Sequence, residues 1–252
     1  MKLKISFIAL FVSVFLVSAI VHLPAALVLK FVSIPPQLQI AGVSGSVWNG
    51  HASQVHWQNQ GLGALDWDIS LAALFAGNIE ATTRFGRGSA VQLHGRGVVG
   101  YGFNGAYAKN LIVSLPARHV LQYSPQPLPV SVKGQLELSL KEFYYAKPWC
   151  KSATGSLVWS GASMTTPVSP LKLGQVVAKL SCEENRVAVQ GTQKTAQVSS
   201  SFSVTLNQPS NYKVTSWFKP EAEFPAELAK WLKRLPDPDG QGRYHFNRSG
   251  QF

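Results

Sequence analysis

The chain has 252 residues, with 23 Lys+Arg against 12 Asp+Glu, and a formal charge of +11. Hydrophobic residues make up 46% and charged residues only 14%, against about 25% charged in an average soluble domain, which excludes intrinsic disorder. The 21 Gly, 15 Pro and 13 Phe beside 2 Met favour strands and turns over a helical bundle.

Met1-Lys2-Leu3-Lys4 precedes Ile5–Leu29, a run without formal charge. As one helix this run would extend about 37 Å, enough to cross a hydrocarbon core of about 30 Å with some tilt. Residues 1–4 are then a cytoplasmic start and 5–29 a transmembrane signal anchor, with Ile5, Phe7, Leu10, Val14, Leu16, Val21 and Leu29 as anchor residues. Val17-Ser18-Ala19 resembles a signal-peptide cleavage site, but apolar character resumes at Ile20, which favours an uncleaved anchor. Pro24 is expected to weaken the helix only modestly. Both readings put everything after Lys30 outside the cytoplasm, and no second long apolar run follows.

Residues 30–39 contain Pro35-Pro36 and read as an extended linker that holds the first strand away from the bilayer. From residue 40 to 252 short period-two segments succeed one another. Val55 and Trp57, then Leu65, Trp67 and Ile69, alternate with polar residues. Leu136, Leu138 and Leu140 do the same, as do Val187 and Val189, and Phe202, Val204 and Leu206. Ser70–Gly77 predicts a helix of one or two turns, with Ser70 as N-cap and Gly77 as terminator. Pro116–Gln122 predicts another. Phe224–Leu235 predicts the best one, with Leu228, Trp231, Leu232 and Leu235 on a single face that caps the sheet. Gly45-Ser-Val-Trp-Asn-Gly50 echoes Gly155-Ser-Leu-Val-Trp159, each reading as a strand carrying a tryptophan. The echo suggests two related halves, about 40–140 and 141–252, with Trp48, Trp67 and Trp159 as repeat or core aromatics.

Cys150 and Cys182 are an isolated pair in an exported segment, and a disulfide is the preferred reading. A metal site would need two further ligands nearby, and a thiol nucleophile would need a base. Gly95-Arg-Gly-Val-Val-Gly100 matches a dinucleotide fingerprint, but no helix can follow it and no acid comes before Glu137, so a glycine-rich turn region is expected. Asp237–Gly242 resembles the start of a calcium loop without its terminal glutamate and reads as a tight turn. The six histidines are scattered, and no local catalytic signature is visible. Between Ala81 and Gln135 there are six Lys or Arg and no acid. This dilute basic stretch reads as a solvated face; an anionic lipid surface is the alternative, and nucleic acid is not expected as a partner.

In order along the chain, the basic start and apolar run, Gly45–Gly50, Leu65-Asp-Trp67, Trp149-Cys150, Gly155–Trp159, Leu180-Ser-Cys182 and Asp239-Gly-Gln-Gly-Arg-Tyr244 resemble the protein N family of bacterial type II secretion systems. The resemblance implies a single-pass inner-membrane component with its bulk in the periplasm, no enzymatic activity, and no cofactor or metal. Its implied partners are other inner-membrane components of the secretion platform. The expected fold is mainly β: one N-terminal transmembrane helix, then a curved antiparallel sheet or partial barrel with a short C-terminal helix. Three readings follow. One is a scaffold whose strand edges pair with partners. The second is a lipid-handling module whose apolar groove is lined by residues such as Trp48, Trp67, Leu136, Leu138, Phe202 and Val204. The third is an exported hydrolase, which would need a His and a carboxylate to converge in space.

Overall fold

The computed structural model describes residues 2–121, 129–208 and 210–251, with side chains described from Leu10 in the first helix. Helix α1 covers Lys2–Val21 and α2 covers Ala25–Leu29. The predicted single rod is thus divided. Pro24 takes an extended conformation (φ −67°, ψ 132°) and forms a bridge to Ser46, because its ring cannot continue the helix of the preceding turn. Ile5 and Phe7 fall where side chains are not described. Leu10, Val14, Leu16 and Val21 are exposed and Leu29 is half-buried. Among the described residues no helix is long and apolar enough to cross a membrane.

Thirteen strands follow: β1 (Leu38–Gly45), β2 (Asn49–Trp57), β3 (Gln60–Ile69), β4 (Ile79–Arg87), β5 (His94–Gly102), β6 (Gly105–Pro116), β7 (Ser131–Tyr144), β8 (Ser152–Thr165), β9 (Pro170–Glu183), β10 (Arg186–Lys194), β11 (Val198–Asn207), β12 (Asn211–Pro220) and β13 (Tyr244–Gln251). Short helices α3 (Leu71–Phe75), α4 (Arg118–Leu121) and α5 (Ala226–Leu232) interrupt them. Every strand pairs antiparallel with its sequence neighbour, so the sheet order is β1 to β13, and among the described residues β1 and β13 have no strand on their outer edges. The sheet is open, as the expectation of a curved antiparallel sheet allowed. Ser70 caps α3 by accepting from Ala73 N, and Gly77 leaves it at φ 76°. Residue 122, the last of the predicted second helix, lies outside the described residues. Helix α5 is shorter than predicted, because Leu235 N already bonds back three residues to Leu232 O.

Register makes the sheet two-faced. One line of cross-strand partners runs Val43, Ala52, Leu65, Phe85, Gly95 and Val113. It continues through Leu138, Leu157, Ala178, Gly191, Phe202, Ser216 and Phe246, reaching all thirteen strands. The neighbouring line on the other face carries His51, Asp66, Arg84 and Arg96, then Ser139, Ser156, Lys179, Gln190, Ser203 and Thr215. Side chains alternate with period two along a strand, so one slipped residue would exchange these faces.

Rings lie over glycines of the next strand. On the apolar face Phe85 covers Gly95 and Phe202 covers Gly191, and on the polar face Tyr107 covers Gly100; a Cβ on any of these glycines would strike the ring. This explains the Gly95–Gly100 motif, which is strand β5 and not the turn region expected. It also keeps the apolar layer thin. Among the described residues no large side chain is fully buried. The echo motifs differ in setting: Trp159 lies within β8, whereas Trp48 lies in the turn after β1 and not in a strand. The Trp48 indole donates to Ile20 O at 2.8 Å, and Val47 N donates to Leu23 O at 2.9 Å. The start of the sheet is therefore docked on the end of α1 instead of being held away by the Pro-Pro linker.

Candidate functional site

The apolar face hollows into two adjoining cavities toward its C-terminal half. The inner one, about 280 Å³, is lined by Leu136, Leu157, Trp159, Val176 and Phe202 among others. The outer one, about 420 Å³, lies between β9–β12 and the apolar side of α5, which contributes Leu228, Trp231 and Leu232. They share Leu173, Gln193 and Ser200. Of the residues expected to line a groove, Trp67, Leu136, Leu138, Phe202 and Val204 lie on this face by register, and Trp48 does not. The Trp159 indole is bonded to Lys133 O at 3.0 Å, and the Trp67 indole to Val47 O at 2.9 Å. Both indoles thus have hydrogen bonds within the fold, as a half-buried N–H requires.

The segment before α5 is tied down. Glu221 N donates to Gln197 O, Glu223 N donates to Ala196 O, and Ser199 Oγ donates to Glu221 Oε1 at 2.7 Å. Helix α5 has no buried residue, and Trp231 is half exposed. The helix covers the hollow as a flap and does not pack into it. Arg234 stacks on Trp231, 4.5 Å from the ring centroid, at the mouth.

Cys150 and Cys182 form a disulfide at one end of the apolar face, packed with Ala153 and flanked by Phe143, Trp149, Leu180 and Val187. The turn at Glu184 and Asn185 grips the same loop. Asn185 Oδ1 accepts from Trp149 N (3.1 Å) and Cys150 N (3.0 Å), while its Nδ2 donates to Lys147 O (2.9 Å).

The polar face brings together groups that sequence spacing hid. His51 Nδ1 lies 2.7 Å from Asp66 Oδ1, and Arg87 donates to Asp66 Oδ2 at 2.7 Å. Burial raises the Asp66 pKa, but the hydrogen bonds from His51 and Arg87 outweigh it and hold the carboxyl below the usual range. Ser44 is the register partner of His51, yet no hydrogen bond joins them, and the neighbouring depression is wide and open. The two form a cross-strand hydrogen-bonded pair, and among the described residues no nucleophile is bonded to it. Lys109 holds Glu80 below the usual range against burial, with Tyr107 also donating to it; burial and then Glu80 push Tyr107 up, and Glu80 pushes Lys109 up. In the 237–242 turn, Asp239 accepts from His245 Nε2, Arg243 N and Nε, and Gln241 N, first His245 and then Arg243 driving its pKa far down. Those donors occupy the carboxylate that a calcium loop would need. Among the described residues no three His, Cys, Asp or Glu groups converge. Of the basic stretch, Arg84, Arg87, Arg96 and Arg118 are exposed, whereas Lys109 is paired with Glu80.

An open, two-faced antiparallel sheet with an apolar hollow makes this a protein of the all-β class. The protein N model of the type II secretion system matches residues 36–247, and the chain belongs to this family. It is 47% identical to the type II secretion system protein N of Vibrio cholerae serotype O1 over the full length of both chains. It is also 34% identical to that of Aeromonas hydrophila over both full lengths, and 26% identical to that of Klebsiella pneumoniae, covering all of this chain and 98% of the other. No solved structure matches it. The protein is thus a component of type II secretion, with other parts of that machinery as its partners.

Proposed function

We propose that the protein is a non-enzymatic scaffold of the secretion platform, held in the inner membrane by its N-terminal apolar run with the sheet in the periplasm. Two unpaired strand edges on a thirteen-strand meander are the observation that carries this reading. Such edges offer rows of N–H and C=O groups to a partner strand. With Lys2 and Lys4 on the cytoplasmic side, the Ile5–Val21 part of α1 rises about 26 Å, close to a hydrocarbon core of about 30 Å, and the apolar residues up to Leu29 continue the run. The exposure of Leu10, Val14, Leu16 and Val21 fits lipid contact. Trp48, at the end of this helix, suits the interfacial belt where tryptophans gather.

The test is copurification. Exporting residues 30–252 from a cleavable signal, without the anchor, should abolish recovery with the inner-membrane secretion components; undiminished recovery would defeat tethering as the principle.

A second reading, lipid handling, is favoured by the thin apolar layer. A face lined along thirteen strands, yet holding no fully buried large side chain among the described residues, is suited to acyl chains as its filling.

A further inference from the structure

Among the described residues His119 Nδ1 and Nε2, Asn207 Oδ1 and both amide atoms of Gln193 are buried without a hydrogen-bond partner, and of these three side chains Gln193 is the one that lines the apolar hollow. It sits in β10, is 7% exposed, and lies where the inner and outer hollows join. Neither its Oε1 nor its Nε2 has a hydrogen-bond partner among the described residues. A buried amide without partners costs about 1–3 kcal/mol per unmade bond. A leucine in its place would avoid that penalty, so the side chain is accounted for by a group it meets in the hollow.

The surroundings narrow the chemistry of that group. On both sides of Gln193 the walls are apolar: Leu157, Val176 and Phe202 inward, Leu171, Phe218 and Leu228 outward. A peptide would bring an N–H and a C=O with every residue, and this lining could satisfy very few of them. A single water between Gln193 and Ser200, its register partner, would meet the amide but would leave the apolar volume on both sides unfilled. A hydrocarbon chain interrupted by one polar linkage matches the sequence of walls. The cavities, about 420 Å³ and 280 Å³, are of small-ligand size. At the mouth the Arg234 guanidinium, stacked on Trp231, presents a positive charge.

We propose that this hollow is an acyl-lipid site: Gln193 pairs with the ester or amide linkage of the chain, α5 closes over it, and Arg234 meets an anionic head. The assignment rests on the lipid-handling reading and narrows it to one place and one polar contact.

Photocrosslinking in native membranes tests it with the full chain. Benzoylphenylalanine is put in place of Leu173, at the junction, or of Val43, at the β1 end of the same face. Irradiation at Leu173 should add the mass of one lipid, read by intact-mass analysis. In a Gln193→Leu background that adduct should fall about five- to tenfold, the worth of one buried hydrogen bond. The Gln193→Leu chain should keep its disulfide and show a thermal midpoint at or above that of the parent, since an apolar isostere removes an unpaired amide. A protein-sized adduct at Leu173, or a lipid adduct indifferent to Gln193→Leu, overturns the proposal. Lipid at Val43 with none at Leu173 overturns this site while leaving lipid handling intact; no lipid at either position defeats both.

Discussion

Removing the Cys150–Cys182 disulfide by a Cys150→Ala/Cys182→Ala double substitution should lower stability without changing the native fold. The bond closes a loop with a sequence separation of 32. In the chain-entropy model that closure removes about 12 cal/mol/K from the unfolded chain, or about 3.7 kcal/mol at 25 °C. The native geometry does not depend on the sulfurs alone. Asn185 clamps the loop through three side-chain hydrogen bonds, Asn185 N donates to Cys150 O, and Glu184 N donates to Lys151 O. The loss should therefore come mainly from the unfolded state. Urea unfolding of the full chain in detergent, followed by tryptophan fluorescence, should show a midpoint shift equivalent to 3–4 kcal/mol, or roughly 7–15 °C in Tm. The spectrum without urea should match that of the parent. A loss below about 1 kcal/mol would refute the loop-entropy reasoning. A native spectrum already altered would refute the claim that the Asn185 turn suffices to hold the loop.

Gly191→Ala should destabilise by about 1–3 kcal/mol in the same assay, because its Cβ strikes the Phe202 ring that now lies flat over the glycine; an unchanged midpoint would mean that the ring moves freely. Stability should be level near neutral pH and fall in acid. Asp66, Glu80 and Asp239 are held below the usual carboxylate range in the fold, so the unfolded chain binds more protons as pH drops through about 4, and the stability they confer above that pH is lost. At the alkaline end Lys109 and Tyr107 are both raised, so their contribution, present below about pH 10, is lost above it. Urea midpoints across pH that stayed flat down to pH 2 would contradict the acid limb.

The sequence announced the strands whose partners are ordinary. Leu136, Leu138 and Leu140 alternate cleanly because β7 packs one face and wets the other. Strand β5 was hidden, since its apolar surface is supplied by Phe85 of β4 lying on Gly95 and Leu111 of β6 lying on Gly97, and periodicity in its own residues is lost. His51 and Asp66 are fifteen residues apart and meet only through the β2–β3 register, which no local motif records. Pro24 was visible, but its effect depended on a bridge to Ser46 that sequence does not display. Gln193 carried no signal of its own. It reads as one polar residue in a polar stretch until neighbouring strands enclose it.

The unbroken meander gives the molecule a fixed end and a far end. Strand β1 abuts the helices, and each later strand adds one step of about 4.8 Å, so twelve steps carry β13 about 58 Å along the sheet. The two open rims are therefore inequivalent. One lies beside α1 and α2, while the other, bearing Phe246 and Arg248, stands off by a distance comparable to the length of a small domain. A strand added at the first rim would lie beside the helices, and one added at the last would lie far from them.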